Sequence, residues 1–192
     1  MDCRFDFGSC DDYYTQDEIN MILNLMRWLG FVLLCAVMTA CSNSVQTIEP
    51  SCEIDSLVVE KSKRQLTIYS DGLVVKTYEV SLGRNPIGAK RFEGDKKTPE
   101  GFYVISRKNA KSSFHANLEI SYPNSNDIDF ANKAGKSAGG YIQIHGLKTG
   151  FGWLGRLHLL IDWTAGCIAL TNPEIEELYN FVPVGTVIEI KP

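Results

Sequence analysis

The sequence predicts a mainly β domain with a few short helices, an α+β chain, and three stretches carry that reading. Gln65-Leu66-Thr67-Ile68-Tyr69 and the run from Leu73 to Val80 alternate in type around Asp71-Gly72, a pair suited to a tight hairpin. Tyr141-Ile142-Gln143-Ile144-His145 alternates in the same way, which puts Tyr141, Gln143 and His145 on one face and two isoleucines on the other. Near the end, Ile175, Leu178, Tyr179 and Val182 recur at helical spacing and form one apolar face.

The remaining elements follow in chain order. Residues 1–25 are acidic, the opposite of a positive leader, and are expected to be upstream sequence from a misplaced start; a disordered extension is the rival. Residues 26–40 form a signal-type segment: Met26-Arg27 supplies a start and a positive charge, Trp28 to Val37 are apolar, and Met38-Thr39-Ala40 end it with small residues before Cys41. The apolar run is shorter than the ~20 residues a spanning helix needs. It resembles bacterial lipoprotein signals, which implies cleavage before Cys41, lipidation of its thiol and a membrane link through that lipid anchor; Met38 stands where such signals usually have Leu, and simple secretion is the alternative. Ser42 in place of an aspartate resembles the outer-membrane class. Residues 41–54 then read as anchor and tether, with Pro50 marking extended chain.

From residue 55 to 192 the composition is that of one globular domain. The formal charge of −4 comes from the first 41 residues; the rest carries equal numbers of acids and bases. Nothing in that balance suggests a polyanion-binding surface, so a nucleic-acid role is not expected. Leu57-Val58-Val59 and Phe102-Tyr103-Val104-Ile105 read as strands, and Thr98-Pro99-Glu100-Gly101 as a turn. The polar middle from Ser106 to Gly140, broken by a short strand at Leu118 to Pro123, reads as a lid or binding loop. Thr149 to Gly155, rich in glycine and aromatics, is suited to lining a cleft. Thr171-Asn172-Pro173-Glu174 opens the helix, with proline in its first turn and an acid at its positive end. Pro183 and Gly185 stop it, and Thr186 to Ile190 closes the sheet.

Chemistry concentrates at Thr164-Ala165-Gly166-Cys167, which heads the apolar run Ile168-Ala169-Leu170. A thiol is a weak nucleophile at its ordinary pKa of about 8.5 unless a base assists it. His145 lies 22 residues earlier, too far for a shared helix face and suited to a neighbouring strand across a long loop. Gly166 tolerates positive φ and would bring backbone N–H groups close to a developing oxyanion. A buried structural cysteine and a hydrogen-bonded core histidine remain the plainer alternative. His158 ranks second as base, Asp162 would orient an imidazole or cap a turn, and His115 reads as a surface or loop-packing residue. A Cys52–Cys167 disulfide would silence the nucleophile and is not expected. No Cys-x-x-Cys or His-Glu-x-x-His occurs, so no metal site is expected.

Ile144-His145-Gly146, a loop, and Thr164-Ala165-Gly166-Cys167, with Thr98-Pro99-Glu100-Gly101 upstream, resemble the L,D-transpeptidases of the bacterial cell wall, the YkuD-like catalytic domain. The resemblance runs from about Ile54 to Ile190 and implies β-sandwich-like mixed sheets. It further implies acyl transfer on peptidoglycan stem peptides, with Cys167 as nucleophile, His145 as base and acid, and Gly166, Thr164 and Gly146 as oxyanion and supporting residues. D-Ala would leave, no cofactor would be needed, and the site would face the periplasm. Many family members have His or Lys at the place of Ala165, and Arg or Asn at that of Ala169. Those departures leave open an idle wall-binding lipoprotein. Water as acceptor, giving a carboxypeptidase or endopeptidase, is a further alternative. A sortase-like enzyme would need an arginine after the cysteine, and the only cation beyond Cys167 is Lys191.

Overall fold

The computed structural model describes residues 20, 21, 23–27 and 53–192. The chain divides into two compact units, Met1–Val45 and Gln46–Pro192. In the first, residues 20, 21 and 23–27 are helical. The apolar part of the signal segment, the anchor Cys41 and Cys52 lie outside the described residues.

The second unit holds a mixed eight-stranded sheet. Its strands are β1 (Ser56–Glu60), β2 (Gln65–Ser70), β3 (Leu73–Glu79), β4 (Gly101–Ser112), β5 (His115–Ile120), β6 (Gln143–His145), β7 (Ile168–Ala169) and β8 (Val187–Lys191). They lie in the order β3-β2-β1-β8-β4-β5-β6-β7. The expected hairpin joins β2 and β3, with Asp71 and Gly72 both at positive φ, the conformation a two-residue turn of this hand requires. Two pairings are parallel, β1 with β8 and β6 with β7, and the others are antiparallel.

Strand β4 is the hinge of the architecture. Its first residues, Gly101 to Val104, pair with β8, and from Ile105 onward it pairs with β5. Register shifts between Ile105 and Arg107 and between Asn109 and Ser112 add twist where the sheet changes partner. The two ends of the strand order also meet. Ser81 and Ala169 exchange backbone hydrogen bonds of 3.0 and 2.8 Å, and Thr164 bonds Leu82 and Arg84 at 3.1 and 3.0 Å. Inside lie the strand residues Leu57, Leu66, Ile68, Ile105, Leu118, Ile144, Ile168 and Ile188. Each such side chain contributes roughly 1.5–3 kcal/mol on burial.

The polar middle is a correction to the sequence reading. It was expected to be a binding loop, yet most of it is the second half of β4, all of β5 and helix α1 (Ser125–Lys133). From Ser106 onward β4 is almost continuously polar and mostly exposed, which explains why the run looks unlike a buried strand. Helix α1 is fixed by a capping box between Asn124 and Asp127, at 3.1 and 3.0 Å.

Helix α2 (Asn172–Phe181) starts where its sequence signal placed it and buries Ile175 and Leu178. The Glu174 carboxylate accepts from the Thr171 N–H at 2.9 Å and from its hydroxyl at 2.6 Å. Glu174→Ala removes both bonds and is expected to cost about 1–2 kcal/mol. Urea denaturation of the purified domain measures this, and an unchanged midpoint would refute the capping role.

Candidate active site

Cys167 immediately precedes β7, and His145 ends β6, the strand with which β7 pairs in parallel. Both side chains line one open pocket of about 460 Å³. Tyr141 and Gln143 line it too, as the alternation on His145's strand predicts, while Ile142 and Ile144 are buried in the core. Only the last three residues of that stretch are strand, because Tyr141 takes a positive φ of 56°.

The thiol is free. Its Sγ lies 3.7 Å from the Tyr141 carbonyl, which accepts the S–H hydrogen. Burial pushes its pKa above the ordinary thiol range; the Gln143 N–H and the Lys90 ammonium oppose that shift. His145 is 3% exposed, and burial pushes its pKa below the ordinary imidazole value. Its Nδ1 donates to the Gly146 carbonyl at 2.7 Å. A carbonyl can only accept, so the neutral ring carries its hydrogen on Nδ1 and its lone pair on Nε2. The resting pair is therefore a thiol and a neutral imidazole. Among the described residues the thiol bonds the Tyr141 carbonyl and not the imidazole.

Gly146, Gly166 and the Thr164 hydroxyl fix the backbone on either side of the pair. A Cβ on Gly146 would lie 2.8 Å from Asn172 Oδ1 and 3.0 Å from Ile175 Cγ2, so the peptide that holds His145 packs directly on α2. Thr164 Oγ1 donates to the Cys167 carbonyl at 2.7 Å and accepts from the Gly166 N–H at 3.1 Å. Of the backbone N–H groups around Gly166 and Cys167 that were expected near an oxyanion, that of Gly166 is spent on fixing the turn. The Thr98-Pro99 landmark lies outside the pocket lining and ties to the residue before Arg84. Buried Thr98 accepts from the Gly83 N–H at 3.1 Å, next to the segment that bonds Thr164.

Other residues stand elsewhere than the sequence suggested. His158 is buried and lines a separate cavity with Phe151 and Leu154, so the Thr149 to Gly155 segment lines that cavity and not the thiol pocket. Asp162 orients neither imidazole: its carboxylate accepts from the Leu82 N–H at 2.9 Å and from Arg64 at 2.8 Å. His115 pairs with Glu176 near the surface. Ala165 lines the thiol pocket, whereas Ala169 is fully buried where β7 meets Ser81. Four pocket residues escaped the sequence reading: Arg84, Lys96, Phe114 and Trp163. Phe114 and Trp163 pack on His145 at ring distances of 4.7 and 5.7 Å. No local pattern marks them, since they come from separate connections.

This fold belongs to the L,D-transpeptidase catalytic domains. The model of that family, YkuD, matches residues 55–190, and the chain is a member of it. Among relatives, Escherichia coli K12 YafK, provisionally named an L,D-transpeptidase, is 29% identical over 128 residues, 64% of this chain and 44% of that protein. The helical cell shape determining protein Pgp2 of Campylobacter jejuni is 27% identical with a TM-score of 0.53, covering 79% of this chain and 53% of that one. An L,D-transpeptidase of Mycobacterium smegmatis shares the fold at 16% identity and a TM-score of 0.50, over 73% of this chain and 59% of that one. The chain thus spans about half the length of YafK and Pgp2.

Proposed function

We propose that the chain is a cysteine-dependent L,D-transpeptidase acting on peptidoglycan stem peptides. The observation that carries this reading is a free thiol sharing one pocket with an imidazole whose Nδ1 is tied to the Gly146 carbonyl. With a stem amide in place, His145 Nε2 takes the S–H proton as Cys167 Sγ bonds the carbonyl carbon. The Cys167 N–H serves the resulting oxyanion, since that of Gly166 is committed. Collapse breaks the C–N bond, and the imidazolium returns its proton to the departing D-Ala amine. A second amine attacks the thioester, forms the new amide and releases the thiol.

Two exposed cations, Arg84 and Lys96, line the pocket, and no carboxylate does. That asymmetry suits stem peptides, whose termini are anionic. Lys96→Ala is expected to raise KM about 5- to 10-fold with kcat changed less than about 3-fold. Purified stem tetrapeptide with an acceptor stem tests the whole reading. Cross-linked dimer with release of D-Ala is the expected product; trimmed tripeptide alone would assign water as acceptor, and no turnover would leave an idle wall binder. Wall remodelling is the proposed outcome in the cell, with an effect on cell shape, the property Pgp2 is named for.

The pH profile follows from the two shifts. His145 must be neutral to act as base, and burial lowers its pKa, so kcat/KM is expected to hold through neutral pH. It should fall only below the ordinary imidazole value of about 6.5. Burial raises the thiol, so iodoacetamide alkylation of Cys167 should climb only above the ordinary thiol value of about 8.5. Rapid alkylation at pH 6 would reveal a resting ion pair and contradict the neutral one.

The proposed location is the cell envelope facing the periplasm, with residues 26–40 as signal and Cys41 as lipid anchor in the outer membrane. Metabolic labelling with an alkynyl fatty acid should mark the protein and be lost in Cys41→Ser. Equal labelling of the variant would remove the anchor.

A further inference from the structure

Next to the thiol pocket lies a second cavity, of about 340 Å³, that no step of acyl transfer uses. Its walls include Leu147, Phe151, Leu154, Leu157 and Ile161, from the 3-10 stretch Gly152–Leu160 and its flanks. Phe151, Leu157 and Ile161 are exposed, so the apolar mouth is open to water although the fold has a well-filled core elsewhere. A volume of this order lies at the small end of the range for sites that hold small organic ligands.

Two polar groups interrupt the apolar lining. His158 is only 6% exposed. Its Nδ1 lies 3.4 Å from the Trp163 indole nitrogen and 3.2 Å from Ser81 Oγ. The Ser81 hydroxyl is directed to the His158 carbonyl at 2.8 Å. An indole N–H can only donate, so Nδ1 is the accepting nitrogen and Nε2 carries the hydrogen. That Nε2 is buried without a partner, the one such side-chain nitrogen or oxygen among the described residues. A buried donor left unpaired is costly, and its natural complement is an acceptor oxygen. The second polar group is Lys148, exposed at the same cavity and in no ion pair among the described residues.

We propose that this cavity binds an amphipathic monocarboxylate. Its hydrocarbon part lies against Leu154, Leu157 and Ile161, one carboxylate oxygen accepts the His158 Nε2 hydrogen once the ligand has parted the side chains that cover that nitrogen, and Lys148 balances the charge. The single cation in the lining matches one negative charge and disfavours polyanions. Trp163 lines both cavities and packs edge-on to His145, so occupancy is felt at the thiol pocket through its indole.

Octanoate, titrated into the full chain carrying Cys167→Ala, tests this with no chemistry in play. Calorimetry and the Trp163 indole N–H resonance should report saturable one-to-one binding. His158→Phe, which keeps an aromatic ring but removes the donor, should weaken it at least 10-fold. Lys148→Gln, at an exposed position that does not carry the fold, should weaken it about 3- to 10-fold. Octanol should bind no better to the parent than to the Lys148→Gln chain. Affinity for octanoate weaker than about 1 mM, or affinity that ignores the Lys148 substitution, overturns the proposal. So does binding to phosphatidylcholine vesicles with no octanoate binding, which would assign the apolar mouth to a lipid surface. Because Cys167 is absent from this experiment, its failure leaves the acyl-transfer reading untouched, and the reverse holds as well.

Discussion

Cys167→Ala is expected to abolish D-Ala release and cross-link formation, lowering turnover by roughly 10⁴-fold or more. The size follows from the covalent route: without sulfur there is no thioester, and the residual rate is that of a pocket able only to bind and orient. His145→Gln should cost less, roughly 10²- to 10⁴-fold. The thiol that remains would then have to lose its proton to water from a pKa already raised by burial. The Cys167→Ala chain should still fold, because that side chain is not part of the buried hydrophobic cluster. Muropeptide analysis with each purified variant reads both effects, and retained turnover in Cys167→Ala removes the thiol from the mechanism. Whole-protein mass measurement offers a second readout: by family resemblance, a carbapenem should add to the parent chain at Cys167 and not to the alanine variant.

Gly166→Ala should be nearly as damaging to turnover, and destabilising as well. Gly166 takes a φ of +136°, a region side-chain-bearing residues rarely occupy. An added Cβ would stand 2.6 Å from the Lys97 carbonyl oxygen and 3.1 Å from Ile142 Cδ1. A backbone oxygen cannot swing aside as a side chain can. Either the turn carrying Cys167 or the segment around Lys97 must move, and both border the pocket. A loss of about 2–5 kcal/mol of stability is expected, from conformational strain plus overpacking. Gly150→Ala is the control, also at positive φ but with nothing within 4 Å of the added carbon. It should cost only about 1–2 kcal/mol, the strain alone, and leave turnover near the parent value. Thermal melts and the muropeptide assay separate the two; equal effects would show that the close approach at Lys97 does not matter.

What was legible in the sequence was local. The hairpin at Asp71-Gly72, the start of α2 at Thr171 and the face shared by Tyr141, Gln143 and His145 are each fixed by neighbours a few residues apart. Such preferences survive in any tertiary setting consistent with them. The polar middle misled because β4 from Ser106 is an exposed strand whose partner, β5, supplies the burial; composition there reports solvent contact and not backbone form. The rank order of His145 and His158 followed from local context; His145 lines the thiol pocket and His158 the second cavity.

The chain alone thus determined its alternating strands, its closing helix and the placing of one histidine and one cysteine at neighbouring strands. Tertiary structure decided what sits around them. Arg84, Lys96, Phe114 and Trp163 converge from separate connections, the Gly166 N–H is diverted to Thr164, and an unpaired His158 donor is enclosed by apolar walls. The reason is range. Strand and helix preferences act over a few residues, whereas burial, pKa and the satisfaction of a hydrogen bond depend on which distant segments the sheet order brings together.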